Sequence, residues 1–383
     1  MNNKDNTKFN ILTLVSIGHF LNDTMQSLMI AIYPMLKNEF MLSFTQIGLI
    51  TFAFQFSSSL LQPFVGFYTD KYHKPYSIAF GMVSTFLGLI SLAFAPNFYF
   101  ILMSAVMIGI GSSIFHPEAS RIARMASGGR HGLAQSIFQI GGNMGSAVGP
   151  LIAVWLILPN GQSSVSYVSI IALVSIPILF YIGSWYKNQH RTVKNKDTSS
   201  SQSLSKQKIV FILLILFLLM FSKFFYLSSI SSYLIFYLTH QYDITTQVAQ
   251  YHLFYFLLSV ALGTILGGAI GDKFGRKIVI VVSIFGIAPF SLALPYVSLD
   301  MSVLFLSIIG FMLASAFPTI VVYAQELIPG KVGTISGLFF GIAFGLAGIG
   351  SAILGHFIDI YGVVYVYKIC SFLPLLGAFA IFL

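Results

Sequence analysis

Twelve stretches of roughly 20 or more mostly apolar residues follow one another along this chain, and each is long enough to cross a bilayer as a helix. They fall at about 10–36, 44–68, 76–96, 98–124, 132–158, 164–186, 208–239, 246–271, 277–296, 301–326, 332–357 and 362–383. Only 8% of the residues are charged, against about 25% in soluble domains. That is too few to cover a surface facing water. Inside a bilayer the backbone must satisfy its own hydrogen bonds. The sequence therefore predicts an all-α membrane protein of twelve transmembrane helices.

The net charge of +9 suggests nucleic acid until its distribution is read. With the N-terminus in the cytoplasm, the cytoplasmic tail, loops and helix ends hold 17 of the 20 Lys and Arg. This is the positive-inside pattern of a multi-pass protein of the cell's inner (cytoplasmic) membrane, with no nucleic-acid partner. The first apolar run is too long for a cleavable signal and lacks a small-residue cleavage pattern. Cys370 is the single cysteine, so neither a disulfide nor a cysteine metal site is expected.

The widest polar gap, Tyr186 to Lys208, is rich in Ser and Lys. It divides the chain into a six-helix half at 1–186, a cytoplasmic linker at 187–207 and a second half at 208–383. The halves repeat. GFYTDKYHKP (Gly66–Pro75) matches GAIGDKFGRK (Gly268–Lys277), IFHPEAS (Ile114–Ser120) lies opposite SAFPTIV (Ser315–Val321), and GGRHG (Gly128–Gly132) lies opposite PGKVG (Pro329–Gly333). The offset is 201 to 202 residues each time. Two pseudo-symmetric bundles around a central cavity are the expectation.

Ionisable residues inside such spans are costly and point to function. His19 and Asp23 share a helix face, with Asn22 and Gln26 beside them. Asp23 lies about 13 residues, or roughly 20 Å, into its span. A carboxyl at that depth, poised between charged and neutral, can load a proton from one side and release it to the other. His116 and Glu118 form a second cluster. If Glu118 pairs with Arg121 it is structural; if a moving gate separates them it is a proton site. Asp23, Glu118, His19 and His116 are thus the proton-coupling candidates. Lys223 stands 201 residues after Asn22 and is expected to face the same cavity, receiving an anionic group or serving as counter-ion to Asp23. Gln139 and Asn143 on the fifth span, Tyr226 and Tyr233 after Lys223, and His252 and Tyr255 on the eighth complete the substrate-binding candidates with Asn22 and Gln26. The ligating side chains sit on helices of unknown register, so no metal site is expected. No nucleophile motif, phosphate loop or ATP-binding motif occurs. The chain reads as a transporter rather than an enzyme, driven by an ion or substrate gradient.

The GxxxDKxGRK loop after the second span and again after the eighth resembles the signature of the major facilitator superfamily. The first copy departs from it at His73 and Pro75. The resemblance implies that Gly66, Asp70 and Lys71, with Arg121, and Gly268, Asp272, Lys273 and Arg276 form gating latches at cytoplasmic helix ends, their glycines allowing close helix approach. GNMGSAVGPLIA (Gly142–Ala153) resembles the antiporter motif of drug exporters through Gly145, Gly149 and Pro150, residues also suited to tight helix packing. The superfamily's usual fourth-helix Arg would fall at Ala105, so coupling through it does not carry over. GHFLNDTMQSL and FHPEASRIARMASGGRHGLAQSIFQIGGNMG resemble the fosmidomycin resistance group. That resemblance implies a major facilitator fold and a proton-coupled antiporter, monomeric and without cofactor, exporting a small drug-like or anionic compound. The alternative is a proton-coupled symporter importing a small metabolite.

Overall fold

The computed structural model describes residues 7–72, 74–189, 205–274, 276–317, 320, 323–324, 327–328 and 332–382. For 70–71, 131–132, 206, 265–274, 276–277, 332–334, 336–337, 340 and 380–382 the backbone alone is described. The helices are α1 (Phe9–Ala31), α2 (Tyr33–Glu39), α3 (Phe44–Lys71), α4 (Ser77–Ala93), α5 (Phe98–Ala126), α6 (His131–Ile152), α7 (Leu158–Asn160), α8 (Val165–Gln189), α9 (Lys206–Tyr242), α10 (Thr246–Phe274), α11 (Arg276–Phe285), α12 (Ile287–Ala293), α13 (Leu299–Ser315), α14 (Val332–Tyr361) and α15 (Val363–Cys370). Every apolar stretch read from the sequence coincides with at least one of them. Among the described residues, seven helices are long and apolar enough to cross a membrane. The polar-striped α1 is not one of the seven.

Several expected spans are interrupted. The first breaks at Ile32, between α1 and α2, and the ninth at Gly286, between α11 and α12. Pro150 does not end α6. The helix runs on to Ile152 and loosens into a π-helical turn at Ala153–Ile157, the kind of irregularity found where a regular ladder is disturbed.

The chain packs as two compact units. The first comprises Met1–Met35 and Ala53–Asn195, the second Leu36–Phe52 and Lys196–Leu383. In the first unit α1 lies along α6, and α4 packs on both α5 and α8. Small residues set the α1–α6 distance. A Cβ on Gly141 or Gly145 would run into the carbonyl oxygens of Ser16 and Phe20, so the backbones approach as only glycine allows. Ser27 Oγ donates to the Ser146 carbonyl across the same contact.

In the second unit α9 packs on α14 and α15, and α10 on α13. Ser228 Oγ on α9 donates to the Ala347 carbonyl on α14 at 2.6 Å. Both partners stand 201 residues after Ser27 and Ser146, so the repeat extends to a specific interhelical hydrogen bond. The start of α3 also belongs to this unit. Asp359 on α14 accepts the backbone N–H groups of Phe44 (2.8 Å) and Thr45 (2.7 Å) and the Thr45 hydroxyl (2.6 Å). One carboxylate thereby satisfies donors that a helix start leaves without partners.

Candidate functional site

Three ionisable side chains of the first unit meet at one point. His19 and Asp23 come from α1 and His116 from α5. His19 Nε2 lies 3.3 Å from Asp23 Oδ2, His116 Nε2 lies 3.5 Å from Asp23 Oδ1, and the two Nε2 atoms are 3.3 Å apart. His19 Nδ1 is 2.8 Å from the Phe138 carbonyl, which only accepts, so that nitrogen carries a hydrogen. His116 Nδ1 lies 3.0 Å from the Ser112 carbonyl and 3.1 Å from the Ser112 hydroxyl, so either of its ring nitrogens can carry the hydrogen, and a hydrogen on Nε2 faces His19 Nε2 and Asp23. Phe138 stacks on the His19 ring with centroids 4.0 Å apart. A Cβ on Gly142 would strike His19 and Asp23, so α6 supports the cluster with a residue that has no side chain.

The candidate ligand atoms of these three residues lie within 4.8 Å of one another. The sequence expectation of no metal site leaned on unknown register. That ground is corrected, because α1 and α5 bring the three groups into one register, and by spacing alone they could share any small cation.

The second cluster is an ion pair. Arg121 NH1 donates to Glu118 Oε1 at 2.7 Å, and the Thr69 hydroxyl donates to the same oxygen at 2.6 Å. Arg121 also donates to Thr69 Oγ1 (3.0 Å) and to the Gly66 carbonyl (3.3 Å). Glu118 is fully buried. In this structure Glu118 and Arg121 are paired, as in the first of the two alternatives open in the sequence. Gly66 does not act as a close-approach residue, because a Cβ built there meets nothing within 4 Å. It contributes its carbonyl instead. The side chains of Asp70, Lys71, Asp272, Lys273 and Arg276, and the surroundings of Gly268, lie outside what the structure describes.

The substrate-binding candidates separate. Asn22 is buried and donates to Asp23 Oδ1 at 3.0 Å. Gln26 is part-exposed and accepts from Ser112 Oγ at 3.3 Å. Gln139 and Asn143 are part-exposed on α6. Lys223, on α9 in the second unit, is buried, and its ammonium donates to Ser283 Oγ at 2.9 Å and to the Leu313 carbonyl at 3.2 Å. Two of the three ammonium hydrogens are thereby committed within the second unit. Tyr233 donates to the Ser351 carbonyl at 2.7 Å, Tyr226 is buried in the second unit, His252 Nδ1 bonds the Val248 carbonyl of its own helix at 2.9 Å, and Tyr255 is exposed. Sequence reasoning did not find Thr69, Ser112, Phe138, Ser283 or Asp359. Serines and threonines are too common in membrane helices to stand out. Asp359, an acid in an apolar stretch, was the one readable signal.

The Major Facilitator Superfamily family model matches residues 15–352. The chain belongs to the major facilitator superfamily. It is a multi-pass membrane transporter and not an enzyme. It is 54% identical over 381 residues to the fosmidomycin resistance protein of Escherichia coli, covering 99% of this chain and 94% of that one. It is 41% identical over 382 residues to the uncharacterized MFS-type transporter YfnC of Bacillus subtilis, covering 98% and 93%. Among solved structures it resembles a bacterial homolog of the human lysosomal transporter Spinster, in an inward-facing and occupied conformation (TM-score 0.75, 15% identity, 98% and 95% covered). It also resembles the E. coli fucose:proton symporter FucP (TM-score 0.69, 16% identity, 98% and 99% covered). These likenesses fix a major facilitator fold. Members of this superfamily carry small molecules across membranes.

Proposed function

We propose that this transporter is a proton-coupled antiporter exporting a small drug-like or anionic compound, with His19, Asp23 and His116 holding the exchanged proton. The convergence of two imidazoles on one carboxylate carries the reading. The three groups sit in a helix contact where gaining or losing a proton changes the local charge. Moving one charge across 100 mV provides about 2.3 kcal/mol. The name of the E. coli relative supports fosmidomycin as a cargo and outward transport as the direction. The basic loops support a cytoplasmic N-terminus in the inner membrane, and a monomer suffices. Arg121, held to Glu118, Thr69 and the Gly66 carbonyl, anchors the α5 side of the proposed cytoplasmic latch, whose other members are Asp70 and Lys71 and, in the second half, Gly268, Asp272, Lys273 and Arg276.

Proteoliposomes and everted membrane vesicles test this. An antiporter in everted vesicles with an acid interior accumulates fosmidomycin, and adding fosmidomycin drives protons out. Accumulation in right-side-out vesicles with protons entering alongside the cargo would establish the importing symporter instead. Transport of fosmidomycin with no pH change would remove proton coupling.

A further inference from the structure

The spacing within the His19–Asp23–His116 cluster is that of ligands around a metal ion. The two Nε2 atoms are 3.3 Å apart, and Asp23 presents one oxygen to each ring, at 3.3 Å to His19 and 3.5 Å to His116. Ordinary N–H···O hydrogen bonds span about 2.7–3.2 Å. Nitrogen and oxygen ligands about 2.0–2.1 Å from a tetrahedral zinc ion lie about 3.3–3.4 Å from one another. The observed separations match the second spacing better than the first.

The surroundings agree with it. A ligating imidazole donates its other ring N–H to an acceptor that fixes its orientation. Such a carbonyl stands at both Nδ1 atoms, Phe138 at 2.8 Å from His19 and Ser112 at 3.0 Å from His116. Asn22 orients the carboxylate by donating to Asp23 Oδ1 at 3.0 Å. Gly142 keeps clear the space beside His19 Nε2 and Asp23 Oδ2, where a Cβ would collide with both. Asp23 keeps 16% of its side chain exposed, so the group is reachable from outside and a fourth ligand can be water. Two imidazoles with one carboxylate suit zinc and its transition-metal neighbours, whereas magnesium and calcium take oxygen ligands.

We infer that His19, Asp23 and His116 bind a divalent transition-metal ion of the zinc type, which takes the place of the proton and blocks transport. The ion joins α1 to α5 and occupies the groups whose proton must come and go. The block rests on the proton-coupling reading; the binding does not.

The test uses the purified full chain, free of any affinity tag, with Co2+ as the first probe. Co2+ that leaves water for a four- or five-coordinate site with nitrogen ligands gains strong visible absorption. One ion per chain is expected, displaced by Zn2+ and not by Mg2+. His116→Gln should weaken binding by more than about 100-fold, because loss of an outer-shell partner alone costs 10–100-fold. His356→Gln, which removes an exposed histidine of α14, should leave binding unchanged. Zn2+ should raise the thermal midpoint of the wild type and not that of His116→Gln, whose cooperative melt also reports that it is folded. Where it does not melt cooperatively, the near-isosteric Asp23→Asn takes its place with the same expected loss. In proteoliposomes Zn2+ should stop fosmidomycin exchange, and a chelator should restore it. No visible Co2+ absorption, or equal binding by the wild type and His116→Gln, overturns the site, while fosmidomycin-driven proton movement measured without metal still upholds proton coupling. Binding that depends on His116 with exchange unaffected overturns the block. Binding that depends on His116 together with fosmidomycin transport that moves no protons overturns the proton reading and the block with it, and upholds the metal site.

Discussion

The same backbone repeat carries different electrostatics in the two units. In the first, charges meet opposite charges: Asp23 has two imidazoles, and Glu118 has Arg121. In the second, Lys223 meets, among the described residues, neutral acceptors, a serine hydroxyl and a carbonyl. That carbonyl belongs to Leu313 in the last turn of α13, where helical carbonyls lack intrahelical partners and a cation is favoured. Lys223 thus ties α9 to α11 and α13 as a cap, whereas its repeat counterpart Asn22 bonds a carboxylate. The two units share how helices touch at Ser27–Ser146 and Ser228–Ala347, while the charged chemistry around them differs. The proposed proton site accordingly falls in the first unit, where the ionisable groups of the described residues meet one another.

Removing one partner from each unit tests this division most directly. Arg121→Met leaves Glu118 buried without its cation, and breaking a buried pair costs about 3–5 kcal/mol. A large fall in thermal stability of the purified protein is expected, most of it recovered by combining Glu118→Gln with Arg121→Met. Lys223→Met strands no opposite charge and should cost less than about 1 kcal/mol. Equal losses in the two single variants would break the comparison. Next in size is coupling. Asp23→Asn should abolish gradient-driven accumulation while leaving downhill exchange largely intact. Each charge no longer coupled lowers the sustainable concentration ratio by about 50-fold at 100 mV, corresponding to about 2.3 kcal/mol. Unchanged uphill transport under an imposed proton gradient would remove Asp23 from the role. Gly142→Ala should follow, since its methyl must displace His19 or Asp23. Overpacking of this kind costs about 1–3 kcal/mol, and a drop in coupled transport beyond what stability loss explains would show that the cluster depends on that approach.

Much of the fold and part of the site were legible because the bilayer makes mistakes expensive. Apolar run length gave the helices, and the His19–Asp23 spacing gave one side of the cluster. That His116 would close it depended on how α5 packs on α1, which no local pattern encodes. The Glu118–Arg121 pair was readable as an alternative from its i,i+3 spacing, but the choice between pair and proton site needed Thr69 from α3. Lys223 stood out as a lone cation in an apolar span, yet its partners Ser283 and Leu313 come from helices 60 and 90 residues away. The contribution of a carbonyl depends on where a helix ends, not on residue type. Gly66 shows the converse: its motif suggests close packing, and the structure uses its carbonyl.

The smallest effect concerns Asp359, the carboxylate of the second unit that finds hydrogen-bond partners among the described residues. Asp359 accepts three hydrogen bonds from Phe44 and Thr45 at the start of α3, and Lys37 stands over the Phe44 ring, 4.3 Å from its centroid. Gly355, one turn earlier on α14, lies against the Phe44 carbonyl, so the contact is steric as well as polar. Asp359→Asn keeps the size and one acceptor oxygen but loses the second oxygen and the charge that favours a helix N-terminus. A loss of about 1 kcal/mol is expected, the usual size of a capping change. It should appear in thermal stability and in faster amide exchange at 44–46, with exchange around Asp23 unaltered. A loss of proton coupling in Asp359→Asn, at unchanged stability, would instead give the second unit an ionisable group that takes part in the cycle, and the division of labour between the units would have to be redrawn.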